Sequence, residues 1–195
     1  PTVASIEAIQ RTAETGVTSV VLISSLLVTP EDGDAVLTER LHRTIDATTV
    51  DLGPYECPIP YKRVLADEHL RLMASSDRFT FVKDTSHDVA VLARKAELTQ
   101  GSRVRVYNAQ AHSVVRSVRD GGHGFSGWVG NILPGLMGWL VEHAHDDDPQ
   151  VLRVQRALSV AEAALGSNYP SSAKWTLREG FGVPRQDASR MPPNA

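Results

Sequence analysis

The sequence is short of cysteine, of excess charge and of long apolar runs. Cys57 is its one cysteine, so an internal disulfide bond is impossible, and 20 lysines and arginines stand against 23 acidic residues for a formal net charge of −3. No run approaches the roughly 20 apolar residues of a membrane-spanning helix, and no signal peptide is recognisable at the start. These absences argue against a disulfide-stabilised secreted protein, a nucleic-acid-binding protein and a membrane protein. We therefore expect a cytoplasmic protein.

A glycine-rich phosphate-binding motif is also missing. No Gly-x-Gly-x-x-Gly follows the first strand-like run, residues 19–23, which weakens the interpretation as a dinucleotide-binding protein. What is present is ordinary for a globular protein, with 195 residues of which 42% are hydrophobic and 22% charged. This composition suffices for one compact domain with its own core.

Apolar runs of strand length alternate with amphipathic helical segments. The predicted strands cover residues 19–23, 49–55, 79–82, 103–107 and 125–129. The predicted helices cover residues 3–14, 36–47, 61–75, 88–98, 111–119 and 132–143, and a longer helix starts near Pro149. The helix at 132–143 is apolar almost all round, so we expect it to be buried. The alternation indicates an α/β chain with a parallel sheet, and both a doubly wound sheet and an eight-stranded barrel fit it.

Lys83 follows an aromatic and β-branched run, Phe79 to Val82, that is typical of a short buried strand. Hydroxyl and acidic residues from Thr85 to Asp88 then supply the chemistry of a helix N-cap. Parallel barrels carry out their chemistry at the carboxyl ends of their strands, where apolar neighbours disfavour the charged form of a lysine. A neutral amine attacks a ketone to form a Schiff base. The alternative is a solvated lysine at a strand end, the usual state of this residue type.

Further motifs are spread over the chain. They are Tyr55 to Pro58, Lys83 to Asp88, Tyr107-Asn108, Gly121 to Gly124 with Asn131 and Pro134, and Tyr169 to Trp175 followed by Arg185 to Pro192. In this order they resemble the dihydrodipicolinate synthase and N-acetylneuraminate lyase family of class I aldolases. The resemblance implies a TIM (β/α)8 barrel, of which this chain contains strands 4 to 8 at residues 1–145 and a C-terminal helical segment at residues 146–195. Because the first three strands have no counterpart here, we expect the sequence to be part of a longer chain.

The resemblance assigns roles to four residues. Lys83 matches the Schiff-base lysine of the sixth strand, and Tyr55 matches the tyrosine of the fifth strand that relays protons to and from the substrate. Thr85 matches a position that touches substrate in the sugar-acid aldolases. Ser126 matches a pocket residue beside the Schiff base, although a serine without any such role fits that strand as well. For Tyr55 to act as acid and base, its surroundings must bring the pKa of the phenol down.

Departures from the family pattern narrow the substrate. Where dihydrodipicolinate synthases carry an arginine that grips a second carboxylate, this chain has Pro60, and where they carry tyrosines it has Leu26 and Leu27. The acidic pair by which sialic acid lyases hold sugar hydroxyls falls on Ala111 and His112. We therefore expect a lyase, an aldolase or synthase acting on pyruvate or a related 2-oxo acid, that is not a true dihydrodipicolinate synthase. The alternatives are a sugar-acid dehydratase and a non-catalytic barrel that binds a small acid.

We expect the protein to use no metal and no cofactor, and to bind neither nucleic acid nor a membrane. His143 and His145 precede three aspartates, but consecutive acids just past a helix are usually a solvated loop. Lys62 and Arg63 either reach the barrel mouth or form the solvated start of a helix. Family members are commonly dimers or tetramers, so the resemblance implies a homo-oligomer.

Overall fold

A computed structural model describes residues 3–183 and has the predicted α/β organisation. Its strands are β1 Ser19–Ile23, β2 Asp51–Tyr55, β3 Phe81–Asp84, β4 Arg105–Asn108 and β5 Gly124–Phe125. Its helices are α1 Val3–Ala13, α2 Asp34–Ala47, α3 Asp67–Ser76, α4 Val89–Leu98, α5 Val114–Arg119, α6 Pro134–Glu142, α7 Pro149–Gly166 and α8 Ser171–Phe181. Within residues 3–183, none of the helices combines the length and the apolar character that crossing a membrane requires. The predicted helical region 185–192 lies outside the described residues.

Contacts within the chain define two compact units. The first comprises the described residues up to Asn108 together with Asp120–His123, and the second comprises Ala109–Arg119 and the described residues from Gly124 onward. The predicted boundary between residues 145 and 146 stays a prediction.

The first unit is a parallel sheet in which β1 to β4 pair in chain order. Each strand is followed by a helix or an irregular connection that returns the chain to the start of the next strand, which is the βαβ arrangement predicted from the alternation. Its core is one cluster of buried apolar side chains, which includes Leu41 of α2, Leu52 of β2, Met73 of α3 and Val82 of β3. Burying a side chain of this size stabilises the fold by about 1.5–3 kcal/mol.

An aromatic layer lies within this sheet. A side chain at Gly53 would overlap the ring of Phe81, so β2 accepts that ring only because position 53 has no Cβ. The Phe81 ring meets the Tyr107 ring edge to face, with 6.5 Å between ring centroids and 68° between ring planes. Residues two apart on a strand share a face, so this layer lies on the same face of the sheet as Tyr55 and Lys83.

The second unit is mostly helical. Its buried cluster joins α5, α6 and α7, with Val115, Leu140 and Leu158 among its members. Glu162 of α7 accepts a hydrogen bond from the Ala111 amide at 3.0 Å. The Asp148 side chain caps α7 by accepting from the Gln150 amide at 2.7 Å, which is the function expected of an aspartate immediately before a helix.

Three segments differ from their predictions. Residues 61–66 are not helical, and α3 begins only at Asp67, because the Leu65 amide donates to the Glu56 carboxylate rather than to a helical carbonyl. The strand predicted at 125–129 ends at Phe125, and Trp128–Asn131 forms a 3-10 turn. Helix α6 is buried on one face only, since Leu136 is 45% exposed. The prediction of a buried helix, made from its apolar composition, is therefore correct for one face and wrong for the other.

Candidate functional site

Tyr55 and Lys83 lie side by side at the carboxyl ends of two neighbouring parallel strands. They are partners in the β2/β3 register, and the Lys83 Nζ lies 4.2 Å from the centroid of the Tyr55 ring. Lys83 is the last residue but one of β3, so it lies within the end of the strand and not just after it. The strand pairing therefore fixes the amine against the aromatic ring.

Burial makes the Lys83 amine easier to deprotonate. The side chain is half-buried, and loss of hydration lowers the pKa of the amine below its ordinary value, while the nearby Cys57 opposes the shift. The face of the Tyr55 ring also favours the charged form through a cation–π contact, so it acts in the same direction as Cys57. Of desolvation and the Cys57 charge, desolvation has the larger effect on this pKa. A larger share of this amine is neutral at a given pH than in a solvated lysine.

The pKa of the Tyr55 phenol bears on its predicted role as a proton relay. Burial raises the pKa of its phenol to about 12, and Cys57 adds to the increase by hydrogen bonding and by charge. The condition for Tyr55 to act as both acid and base, a lowered phenol pKa, is therefore not met, because the phenolate loses hydration in this position. At neutral pH the phenol carries its proton, so it is suited to donate a proton rather than to remove one.

Thr85 is buried and its hydrogen-bonding groups are largely used within the protein. Its hydroxyl donates to the main-chain carbonyl of Glu56, and its amide donates to the Glu56 carboxylate at 3.1 Å. The hydroxyl oxygen retains a lone pair, so toward a substrate it is restricted to the role of acceptor. A substrate contact at Thr85 stays a prediction.

Ser126 directly follows β5 in the second unit and is partly exposed. Its predicted role beside the Schiff base stays a prediction. In the same unit, His143 stacks on Trp139 and makes a hydrogen bond to its carbonyl at 2.9 Å, which accounts for this histidine as a packing residue.

Sequence reasoning missed a buried ionic network immediately behind the Tyr55 and Lys83 pair. Lys95 of α4 donates to the carboxylates of Glu56 and Asp84, and the Lys95 to Asp84 distance is 2.6 Å. The three residues are between 0% and 2% exposed. A signal for this network was present in the sequence, since Lys95 lies three residues after Leu92 and one before Ala96, on the buried stripe of α4. A lysine on an apolar stripe requires a buried partner.

Lys62 and Arg63 belong to the loop before α3 and not to a solvated helix start. Lys62 Nζ donates to the Thr85 carbonyl at 2.6 Å. Arg63 donates to the Asp32 carbonyl and forms an ion pair with Asp34 at 2.8 Å. The loop at residues 61–66 is thereby tied to the segment that follows Lys83.

The fold of the chain is that of several solved structures. A monomeric dihydrodipicolinate synthase variant superposes with a TM-score of 0.82 at 18% identity, over 96% of this chain and 63% of that one. The chain has the dihydrodipicolinate synthase fold. The family resemblance read from the motifs is thus confirmed at the level of the fold.

Two further structures of this family were determined with pyruvate bound. The Escherichia coli K12 prophage protein YagE, solved in complex with pyruvate, gives a TM-score of 0.80 at 19% identity, over 97% of this chain and 65% of that one. The chloride-inhibited dihydrodipicolinate synthase from Acinetobacter baumannii, also complexed with pyruvate, gives 0.79 at 20% identity, again over 97% and 65%. The chain thus spans less than two thirds of the length of each structure. No protein-family model and no curated protein sequence matches it.

Proposed function

We propose that the protein is a Schiff-base-forming lyase that acts on pyruvate or a related 2-oxo acid, with Lys83 as the nucleophile and Tyr55 as the proton donor. The observation that carries this proposal is the half-buried Lys83 amine held over the Tyr55 ring, with its pKa lowered by burial. The pyruvate bound to YagE and to the Acinetobacter baumannii enzyme supports the choice of a 2-oxo acid. Pro60, Leu26 and Leu27 stand where dihydrodipicolinate synthases carry an arginine and tyrosines. These differences argue against aspartate semialdehyde as the second substrate.

The chemistry follows from the protonation states of the two side chains. The neutral amine of Lys83 attacks the keto carbon, and the keto oxygen becomes the hydroxyl of a carbinolamine. That hydroxyl leaves as water with a proton donated by the Tyr55 phenol, and the nitrogen lone pair forms the carbon–nitrogen double bond. When a carbon–carbon bond forms, the carbon next to the protonated imine loses a proton to the Tyr55 phenolate left by the previous step, and the resulting enamine attacks the carbonyl carbon of the second substrate. When a bond breaks, its electron pair passes instead to the protonated imine, which becomes the enamine.

The proposal extends to the architecture of the whole protein. A complete TIM barrel gives every strand two neighbours, whereas β1 has one partner among the described strands and Val21 in it is 53% exposed. We propose that strands 4 to 8 of such a barrel are present here, and that the protein is a homo-oligomer, a dimer or a tetramer. Light scattering on the purified full-length protein measures the oligomeric state directly.

Trapping of the Schiff base tests the function. Incubating full-length protein with pyruvate and borohydride, which delivers hydride to the imine carbon, should leave a stable secondary amine on the peptide that contains Lys83. Peptide mapping then distinguishes Lys83 from Lys62, Lys95 and Lys174, the other lysines of this sequence. Lys83→Met should abolish the adduct, and Lys174→Met, which removes a lysine from the second unit, should leave it unchanged.

The outcome also separates the alternatives. Absence of an adduct on Lys83 would rule out the proposed lyase, and saturable binding of a small acid without an adduct would identify the non-catalytic barrel. An adduct together with loss of water from a sugar acid, and with no carbon–carbon bond cleaved or formed, would identify a dehydratase.

A further inference from the structure

We propose that Glu56 is a positioning residue for Lys83. Its main chain and its carboxylate hold the segment from Lys83 to Thr85 in register with Tyr55, and Lys95 holds the carboxylate in place. This inference rests on the proposed function of Lys83, and it adds a residue that touches neither substrate nor reacting atoms.

Three hydrogen bonds join Glu56 to the segment that carries Lys83. The Glu56 amide donates to the Lys83 carbonyl at 3.2 Å. The Thr85 amide donates to Oε2 of the Glu56 carboxylate at 3.1 Å, and the Thr85 hydroxyl donates to the Glu56 carbonyl. Glu56 follows Tyr55 directly, so these bonds fix the chain on both sides of Lys83 relative to the residue that faces its amine.

The other carboxylate oxygen of Glu56 is held from behind. Oε1 accepts from the Leu65 amide at 2.8 Å and from the Lys95 ammonium. Lys95 in turn donates to Asp84 Oδ1, and Asp84 Oδ2 accepts from the Ser86 hydroxyl at 3.0 Å. Every oxygen of the Glu56 carboxylate therefore has a partner, and the carboxylate has no freedom to turn away from Thr85.

The position of the network explains how it acts on Lys83 without contacting substrate. Successive residues of an extended strand point to opposite faces, so Asp84 points away from the face on which Lys83 meets the Tyr55 ring. Lys95 reaches the two carboxylates from α4, which covers that opposite face. The ionic network therefore fixes the backbone beneath Lys83 and leaves its amine open to a ketone.

Stability alone is a poor explanation for such a network. A buried ion pair repays its desolvation cost incompletely, and well-packed apolar residues in its place are often as stable or more stable. Geometry is a better explanation, because a displacement of about 1 Å of a reacting group lowers a rate by roughly 100-fold. The distance between the amine and the ketone depends on the backbone of Lys83, which Glu56 fixes.

The test measures two quantities for imine formation on Lys83 in each variant. They are the maximal rate and the pyruvate concentration that gives half of that rate. In Glu56→Gln the side-chain amide keeps its size but has one acceptor oxygen, so either the Thr85 or the Leu65 amide loses its partner. We expect the maximal rate of borohydride-trappable adduct on Lys83 to fall by roughly 10-fold to 100-fold, with the half-saturating concentration nearly unchanged. Leu92→Ala, which removes a buried apolar side chain from α4 and takes no part in the network, is the control and should keep the maximal rate.

A second pair of variants keeps the test decisive if Glu56→Gln does not fold. Thr85→Val removes the hydroxyl that donates to Glu56, so the maximal rate should fall, and the conservative variant Thr85→Ser, which has a hydroxyl at that position, should recover most of the loss. A change confined to the half-saturating concentration would instead mean that Thr85 contacts substrate, and it would overturn the positioning role. A wild-type rate in Glu56→Gln, or an equal loss in Leu92→Ala, would overturn it as well. Absence of the Lys83 adduct in wild-type protein is a different outcome from these, because it would overturn the proposed function and the positioning role together.

Discussion

Replacing Lys95 by methionine should destabilise the protein strongly, and more at alkaline than at acidic pH. The substitution keeps the apolar stem and removes the ammonium from between Glu56 and Asp84, which are almost completely buried. Removing one partner of a buried ion pair leaves an uncompensated charge and costs about 3–5 kcal/mol. For a chain of 195 residues this corresponds to a fall in melting temperature of roughly 10 °C.

The pH dependence follows from the pKa of Glu56. Burial raises the pKa of its carboxyl group above the ordinary value, and Lys95 is the largest influence in the opposite direction. Without Lys95 the pKa in the folded state rises further, so the folded protein binds a proton that the unfolded chain releases. Stability then falls as the pH increases from the ordinary carboxyl value toward the folded-state value. The loss caused by Lys95→Met should thus be smaller at pH ~5 than at pH ~8.

Urea unfolding of wild type and Lys95→Met at the two pH values measures this effect. Arg94→Met is the matched control, because Arg94 precedes Lys95 on α4 and its partners Asp67 and Glu97 are exposed. We expect the control to change stability little at either pH, since exposed ion pairs contribute little. Equal stability of Lys95→Met and wild type at pH ~8, or a loss that does not vary with pH, would refute the account of the network as a charged one.

Three other predictions concern the face of the sheet that carries Lys83. The rate of imine formation on Lys83 should rise with pH and reach half its maximum below pH 10.5, the ordinary lysine value, because burial lowers the pKa of the amine; half-maximal rate at or above that value in a trapping assay would contradict it. Tyr55→Phe keeps the ring beneath the amine and removes the proton donor, so imine formation should slow by roughly 100-fold or more, and an unchanged rate would exclude the phenol from the reaction. Gly53→Ala should cost about 1–3 kcal/mol or more in urea unfolding through overlap with Phe81, whereas Gly33→Ala, with no atom within 4 Å of the added methyl, should not.

The elements that follow local rules were predictable from the sequence. Strand β1 has the predicted bounds, because a short continuous apolar run after a glycine turn is typical of a buried strand. The N-cap of α4 was predictable for the same reason, since an aspartate before an amphipathic segment accepts from the first free amides. Lys83 lies at the end of a buried run, as the sequence indicated, whereas its register with Tyr55 is seen only in the folded chain.

What depends on contacts between distant residues was not predictable. Glu56 and Lys95 are 39 positions apart and meet only when α4 packs behind β2 and β3. The position of Lys95 on the apolar stripe of α4 indicates that it needs a buried partner, but nothing in the local pattern identifies Glu56 and Asp84 as that partner. The raised pKa of the Tyr55 phenol depends on burial in the folded chain, so the residue type alone does not give it. The loop at residues 61–66 resembled a helix because its tertiary hydrogen bonds leave no trace in the local pattern.

The aromatic layer beneath Lys83 has a consequence for how the sequence can vary. Phe81 lies where a side chain at position 53 would be, and its ring rests on the edge of Tyr107, so three successive strands share one filled volume. A protein of this fold with a side chain at position 53 therefore requires a smaller residue than phenylalanine at position 81. The space left beside the residue at position 107 must then be filled by another side chain. Engineering of this face of the sheet should therefore randomise positions 53, 81 and 107 jointly, since the packing rejects most single substitutions there.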